Sequence, residues 1–368
     1  MQIYYHTDQL PAFRRAVITI GTFDGVHIGH AQILQQLRQE AARIDGETVI
    51  VTFYPHPRKI VRGGTAEVRL INTLEEKIQL LSWQQVGHLV VVPFTADFAE
   101  MTAGQYVKEF LLERFHPHTV IIGYDHRFGK GRQGDYHLLE EFSRSEGFEL
   151  QEIPVHLLDA VSVSSTRIRE AIAGADIESA NQLLGYPFFF SGQVMEGRRL
   201  GRTIGFPTAN LQVGSPDKLI PGDGVYAVEV EVVDDSMITL TAPNTVPAPG
   251  NGDPGAEPLR TPARIPWSAT PFSPRSELPL PGSAVPSNGL FRWKGMMNIG
   301  MRPTVDGRER TIEVNIFDFN EDLYGRELRV FVNKYLRGEE KFSGLDALKA
   351  QLARDKQNSL AALSGNGR

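Results

Sequence analysis

Residues 19–34 read TIGTFDGVHIGHAQIL, an apolar run that breaks into a glycine-punctuated turn and resumes as a helix. Gly21 and Gly25 let the backbone bend sharply after the strand. Gly29 leaves no side chain where a ligand would approach, and His30 falls at the start of the helix. A helix N-terminus presents unpaired N–H groups and the positive end of a dipole, so this junction suits an anion. Phe23, Asp24 and His27 complete the turn. Asp24 reads in two ways: it pairs with a basic ligand group or orients His27, or it is a carboxylate that merely stabilises the turn.

Working outward, Val17–Ile20, Thr48–Phe53, Leu89–Phe94 and Thr119–Ile122 are short apolar runs, the pattern of strands buried on both faces. Helical stretches lie between them. Thr73 with Glu76 and Thr102 with Gln105 have capping-box spacing. Alternation of this kind over residues 16–160 predicts a parallel sheet covered by helices. Ligands on such sheets sit at the carboxyl ends of strands, where 21–30 and 123–134 both fall.

A second junction, SVSSTRIR at 162–169, supplies the hydroxyls of Ser164, Ser165 and Thr166 and the guanidinium of Arg169. Together with His27 and His30, this set suits cleavage of a nucleoside triphosphate between its α and β phosphates. A phosphate-monoester acceptor has a second pKa of ~6 and is mostly dianionic at neutral pH, so it attacks without a protein base. The protein then has only to align it and offset charge on departing pyrophosphate. His27, His30 and Arg169 are the candidate catalytic residues. Gly21, Phe23, Asp24, Gly29, Ser164, Ser165 and Thr166 are the candidate ATP contacts.

Past residue 186 the pattern changes. Residues 188–194, 224–233, 311–317 and 327–332 read as strands separated by Gly and Pro turns. Only 343–356 reads as a helix of any length, starting at Ser343 with Asp346 three later and with Leu345, Leu348 and Leu352 on one face. A small antiparallel barrel with a closing helix follows, giving two domains, 1–185 and 186–368. Residues 241–289 hold 12 of the 23 prolines and little periodicity. A segment at about 236–290 is therefore expected to be a disordered, passive insertion.

GRRLGRTIGFPTAN at 197–210 lacks the Gly-Lys-Ser/Thr ending of a Walker A loop. Gly197, Gly201 and Gly205 still allow a loop that wraps its amides around phosphates, with Arg202 among them. Thr208 and Asn210 offer the neutral oxygens magnesium accepts. A glycine-rich hairpin turn leading into a Pro-Thr strand entry fits the same letters. On 311–317, Ile312, Val314 and Ile316 share one face, so Thr311, Glu313 and Asn315 share the other. An alcohol acceptor must lose a proton as it attacks phosphorus, and Glu313 is the candidate base; a solvent-facing glutamate on an edge strand is the alternative.

Bulk properties limit the classes. The chain has 368 residues, 41% hydrophobic content, a net charge of −6 and no cysteine. No disulfide, thiolate metal site or cysteine nucleophile is available, which fits a reducing compartment. The first residues, MQIYYHTDQLPAFRR, show no apolar core of a secretory signal, and no apolar run is long enough to span a bilayer. A cytoplasmic location, no membrane and no nucleic-acid partner are expected. The basic clusters Arg127, Lys130, Arg132 and Arg198, Arg199, Arg202 sit among glycines and suit a small phosphorylated ligand.

These motifs resemble the bacterial bifunctional riboflavin kinase/FAD synthetase family. GTFDGVHIGH, TFYPHP at 52–57, IGYDHRFGKGRQG at 122–134 and SSTRIR are similar to its adenylyltransferase half. GRTIGFPTANL, PGDGVYAV at 221–228, NIGMRPT at 298–304, EVNIFDFNEDLYG at 313–325 and the helix near 335–355 are similar to its kinase half. The resemblance implies a Rossmann-like nucleotidyltransferase domain, sharing HxGH with class I aminoacyl-tRNA synthetases but bearing SSTRIR in place of their lysine loop. It implies a riboflavin-kinase barrel after it. Riboflavin and ATP would give FMN, with Glu313 as base and magnesium near Thr208 and Asn210; FMN and a second ATP would give FAD and pyrophosphate. Asp125 and Phe128 match positions near the flavin. Asn315 departs from the more usual histidine, and the proline-rich insertion replaces a short hairpin.

Overall fold

The computed structural model describes residues 1–61, 68–123, 125–153, 163–197, 200–233, 292–304 and 307–364. The expected disordered insertion, together with Arg198, Arg199 and the side chain of Arg202, lies outside the described residues. The chain divides into two compact units: Met1–Tyr186 with Ser215–Ile220, and Pro187–Gly214 with Pro221–Arg368.

The first unit is built on a six-stranded parallel sheet: β1 (Gln2–Tyr4), β2 (Val17–Ile20), β3 (Thr48–Tyr54), β4 (His88–Pro93), β5 (Thr119–Gly123) and β6 (Glu149–Ile153), ordered β1-β4-β3-β2-β5-β6. The four apolar runs form its centre. The two edges escaped the sequence: β1 is three residues long and β6 reads ELQEI, too short and too polar for a buried-strand pattern. Its longer α-helices are α1 (Ile28–Ile44), α2 (Leu74–Ser82), α3 (Tyr136–Glu146), α4 (Ser165–Ala173) and α5 (Ile177–Leu184), with shorter turns between them. Both capping boxes form. Beyond Thr102, however, the helix widens into a π-helix at Tyr106–Leu112, which buries Tyr106, Val107, Phe110 and Leu111 in an aromatic-rich core.

Strand order fixes where ligands can enter. From β2 the chain builds β3 and β4 on one side and β5 and β6 on the other, so the sheet reverses direction between β2 and β5. The crevice outside the carboxyl ends at such a reversal is where open α/β sheets bind ligands. The loops leaving β2 and β5 carry GTFDGVHIGH and GYDHRFGKGRQG. Ser215–Ile220 joins this unit as a short strap: Leu70 pairs with Lys218, Leu70 N–H donates to Asp217 O (2.7 Å), and Leu219 N–H donates to Leu70 O (2.8 Å).

The second unit is a closed barrel of β7 (Phe188–Met195), β8 (Ala209–Gln212), β9 (Gly224–Val233), β10 (Trp293–Thr304), β11 (Gly307–Ile316) and β12 (Glu327–Arg337), in the order β10-β11-β8-β7-β12-β9. Strands β8 and β10 had no clear sequence pattern, since PTANL and WKGMMNIG mix Pro, Gly and polar residues. Helix α6 (Leu345–Ser364) packs on β9, β10 and β12. It begins two residues later than the spacing at Ser343 predicts, with Leu348 N–H bonded to Gly344 O, and it runs on to Ser364. Leu345 is 65% exposed rather than on the inner face; that face carries Asp355, Ser359 and Leu363 instead.

Candidate active sites

The loop between β2 and α1 is held in an unusual conformation. Phe23 (φ 47°) and Val26 (φ 37°) occupy the left-handed region beside Gly25 (φ 94°). A β-branched residue adopts that region only when its surroundings compel it. The compulsion comes from other elements binding the loop's carbonyls. Lys77 Nζ donates to Thr22 O (2.7 Å), Thr52 Oγ1 to the same oxygen (3.3 Å), Ser165 Oγ to Asp24 O (2.9 Å), and Tyr186 hydroxyl to Gly25 O. Because N–H lies opposite C=O in a trans peptide, tying these oxygens inward turns the amides of Phe23 and Gly25 the other way.

Asp24 is buried, and its side-chain partners come from outside the turn. Oδ1 accepts the N–H groups of Ile71 (3.0 Å) and Asn72 (3.3 Å), while Oδ2 accepts Arg169 Nη2 at 2.6 Å. Arg169 is thereby aimed, and its buried Nε makes no hydrogen bond. His27 caps α1, its Nδ1 accepting His30 N–H at 3.4 Å, and the two imidazoles stack at 3.7 Å. Burial pushes His27 down to about 4 and His30 well below the usual histidine range, so both rings are neutral at pH 7. His30 Nδ1 is buried and makes no hydrogen bond. Phe23 packs its ring 4.9 Å from His30, and Gly29 is buried in the first turn of α1.

Ser164 caps α4 by accepting Arg167 N–H (3.2 Å), Ser165 spends its hydroxyl on Asp24 O, and Thr166 is exposed. Two further buried groups lie near Asp24: His56, within the TFYPHP stretch, and Lys77. His56, pushed down to about 4 by burial, lies within electrostatic reach of Asp24, Lys77 and Arg169. Lys77 is buried and lowered to about 8, chiefly by desolvation and against the pull of Asp24. Its only sequence sign was its place one residue past a capping box. In the loop after β5, Asp125 is exposed, whereas Phe128 is buried and stacks on Tyr106 at 5.0 Å.

In the barrel, register gathers the second set. Glu313 on β11 stands directly opposite Asn210 on β8, and opposite Asn298 on β10. Residues directly opposite across antiparallel strands present side chains to the same face. Asn298, Glu313 and Asn210 therefore form a polar row across three strands. Gly197 lies against this row: a Cβ there would fall 2.0 Å from Asn210 Nδ2. At Gly201 a Cβ would fall 2.2 Å from Phe206 O and 3.3 Å from Thr208 Oγ1. Gly205 takes φ 85°, closing a turn in which Phe206 N–H returns to Gly201 O (2.8 Å). Asn315 is buried and donates Nδ2–H to Pro207 O at 2.6 Å, so it anchors the strand entry that carries Thr208.

A family model described as FAD synthetase matches residues 10–167, and one described as riboflavin kinase matches residues 184–363. The bifunctional riboflavin kinase/FMN adenylyltransferase of Escherichia coli K12 is 35% identical over 340 residues, covering 92% of this chain and 90% of its own. The chain belongs to the bifunctional riboflavin kinase/FMN adenylyltransferase family. The Listeria monocytogenes member is 32% identical, covering 98% of this chain and 97% of its own. A solved structure from Streptococcus pneumoniae, named as a macrolide-efflux protein, superposes with TM-score 0.73 at 25% identity over 97% of both chains. No helix among the described residues is long and apolar enough to cross a membrane.

Proposed function

We propose that the two family activities are divided between the two units as the side chains are. The chain makes flavin cofactors: it phosphorylates riboflavin to FMN and adenylylates FMN to FAD. In the first unit, ATP would lie in the crevice between β2 and β5, with its phosphates against the N-terminus of α1. The FMN phosphate attacks the α-phosphorus, the α–β bridging bond breaks, and pyrophosphate departs. His27 and His30, neutral in the free protein, donate N–H to the phosphates and gain charge as the anion arrives. Arg169, aimed by Asp24, offsets the leaving group's charge.

In the barrel, the ribityl hydroxyl attacks the γ-phosphorus and passes its proton to Glu313 while ADP leaves. Gly197, Gly201 and Gly205 give the phosphates access to backbone amides. The neutral oxygens of Thr208 and Asn210 suit magnesium. Magnesium prefers a few protein oxygens, with phosphates and waters completing its shell. Thr208 and Asn210 would hold it, and the bound ion would offset phosphate charge. Both reactions use small soluble substrates, which supports a cytoplasmic enzyme with no nucleic-acid partner.

The Glu313–Asn210 register pair carries the kinase reading. Riboflavin and Mg-ATP, with products separated over time, test both sites. Glu313→Gln should lower FMN formation by about 10²-fold or more while FAD synthesis from supplied FMN continues. His30→Ala should do the reverse, with FMN accumulating. Equal loss of both steps in either folded variant contradicts the division.

A further inference from the structure

The peptide joining Ile71 to Asn72 is gripped at both ends of its dipole. Its N–H faces Asp24 Oδ1, alongside the N–H of Ile71; its carbonyl accepts Lys218 Nζ at 2.6 Å. Lys218 is fully buried, and its Nζ also meets Glu76 Oε2 at 2.5 Å. That same glutamate oxygen accepts Thr73 N–H at 3.0 Å, closing the capping box of α2. Lys218 is delivered by a strap that is itself fastened. Asp217 pairs with Lys59, Arg69 Nη1 donates to Pro216 O (2.5 Å), and the backbone of Leu70 pairs on both sides with Asp217 and Leu219.

A lysine stripped of all water is costly to bury, and this one is placed where its charge acts on a peptide dipole. A cation at the carbonyl polarises the N–H at the far end, and hydrogen bonds linked through one peptide strengthen each other. The acceptor at that far end is Asp24, whose other oxygen aims Arg169. An unbroken series of contacts therefore runs from Lys218 through Ile71–Asn72 and Asp24 to the guanidinium.

We infer that Lys218 is a positioning residue for adenylyl transfer, acting through the Ile71–Asn72 peptide and Asp24 on Arg169. This rests on the assignment of Arg169 to that reaction made above. In sequence, Lys218 lies inside the riboflavin-kinase match at 184–363, and the FAD-synthetase match at 10–167 does not contain it. The adenylyltransferase site thus draws a structural residue from the kinase half of the chain.

The test uses the full chain and follows FMN→FAD and riboflavin→FMN in the same preparations. Removing Lys218 alone would strand Glu76, so the decisive variant is the neutral pair Glu76→Gln with Lys218→Met. It should lower kcat for FAD formation by about tenfold to a hundredfold, as expected for a misaimed group. KM for FMN and the kinase rate should not change. Lys218→Arg, which keeps a charged donor opposite Glu76, should retain most of the wild-type rate. In an Asp24→Asn background the neutral pair should cost nothing further, since both act on one contact series. Wild-type FAD formation, equal loss of both activities, full additivity with Asp24→Asn, or failure of the neutral pair to fold would each overturn the inference. His30→Ala separates the two levels: if it spares FAD formation the site assignment itself fails. If it abolishes FAD formation while the neutral pair does not, only the role of Lys218 fails.

Discussion

In the adenylyl transfer proposed above, His27 and His30 start as neutral rings whose charge the ligand would supply. Burial holds His27 near 4 and pushes His30 well below the usual histidine range, and each ring's stacking partner is the other. A polyphosphate at the N-terminus of α1 favours the protonated form and raises both. ATP binding to this site should therefore take up protons in mildly acidic buffer. Calorimetry in two buffers of different ionisation heat reads this directly. A binding heat independent of buffer means the rings stay neutral and act only as donors. The histidines were legible because glycine spacing and a helix start surround them. Lys218 was not: in SPDKLI a lysine between turn residues and an apolar pair reads as a solvated side chain, and only the tertiary strap buries it.

At the scale of elements, the sequence revealed those whose burial is two-sided or capped. The central strands β2 to β5 stand out as apolar runs, and α2 is announced by Thr73 and Glu76. Edge strands β1 and β6, and the barrel strands β8 and β10, do not stand out. Their residues answer to neighbours across the sheet rather than to a periodic pattern of their own. Helix α6 shows the same limit. Its start was placed at Ser343 from a capping pattern, yet its place on the barrel is set by a charge: buried Asp355 accepts Nε and Nη2 of Arg337 at 2.7–3.2 Å. Removing one partner of a buried pair strands the other, so Asp355→Ala should destabilise the barrel by about 3 kcal/mol. Asp346→Ala, on an exposed first turn, should stay within about 0.5 kcal/mol. Urea unfolding followed by a probe in the barrel distinguishes them, and similar losses would mean that α6 is held by its apolar contacts alone.

Across the whole molecule, titration is unevenly shared. All ten histidines lie between His6 and His156, and the barrel sequence contains none. His27, His56 and His126 are each lowered by burial to about 4, from an ordinary 6.5. Between those values the unfolded chain binds protons that the folded unit refuses, so stability falls as pH falls through 6.5 toward 4 and levels off below. At full effect each such histidine is worth roughly 3 kcal/mol as an upper bound. Lys77 adds a slope of the same sign at the alkaline end. Lowered to about 8, it sheds its proton in the folded state first, so stability rises between pH 8 and 10. Above pH 10 the buried hydroxyls of Tyr106 and Tyr186, which burial keeps protonated, reverse that slope. Thermal unfolding of the full chain should accordingly separate into two transitions as pH drops from 7 to 5. The adenylyltransferase unit should move to lower temperature while the barrel stays in place. Loss of FMN adenylylation before riboflavin phosphorylation, on heating at pH 5, would identify the earlier transition. Loss of both activities together at every pH would mean the two units unfold as one, and that the histidines do not set the weaker half.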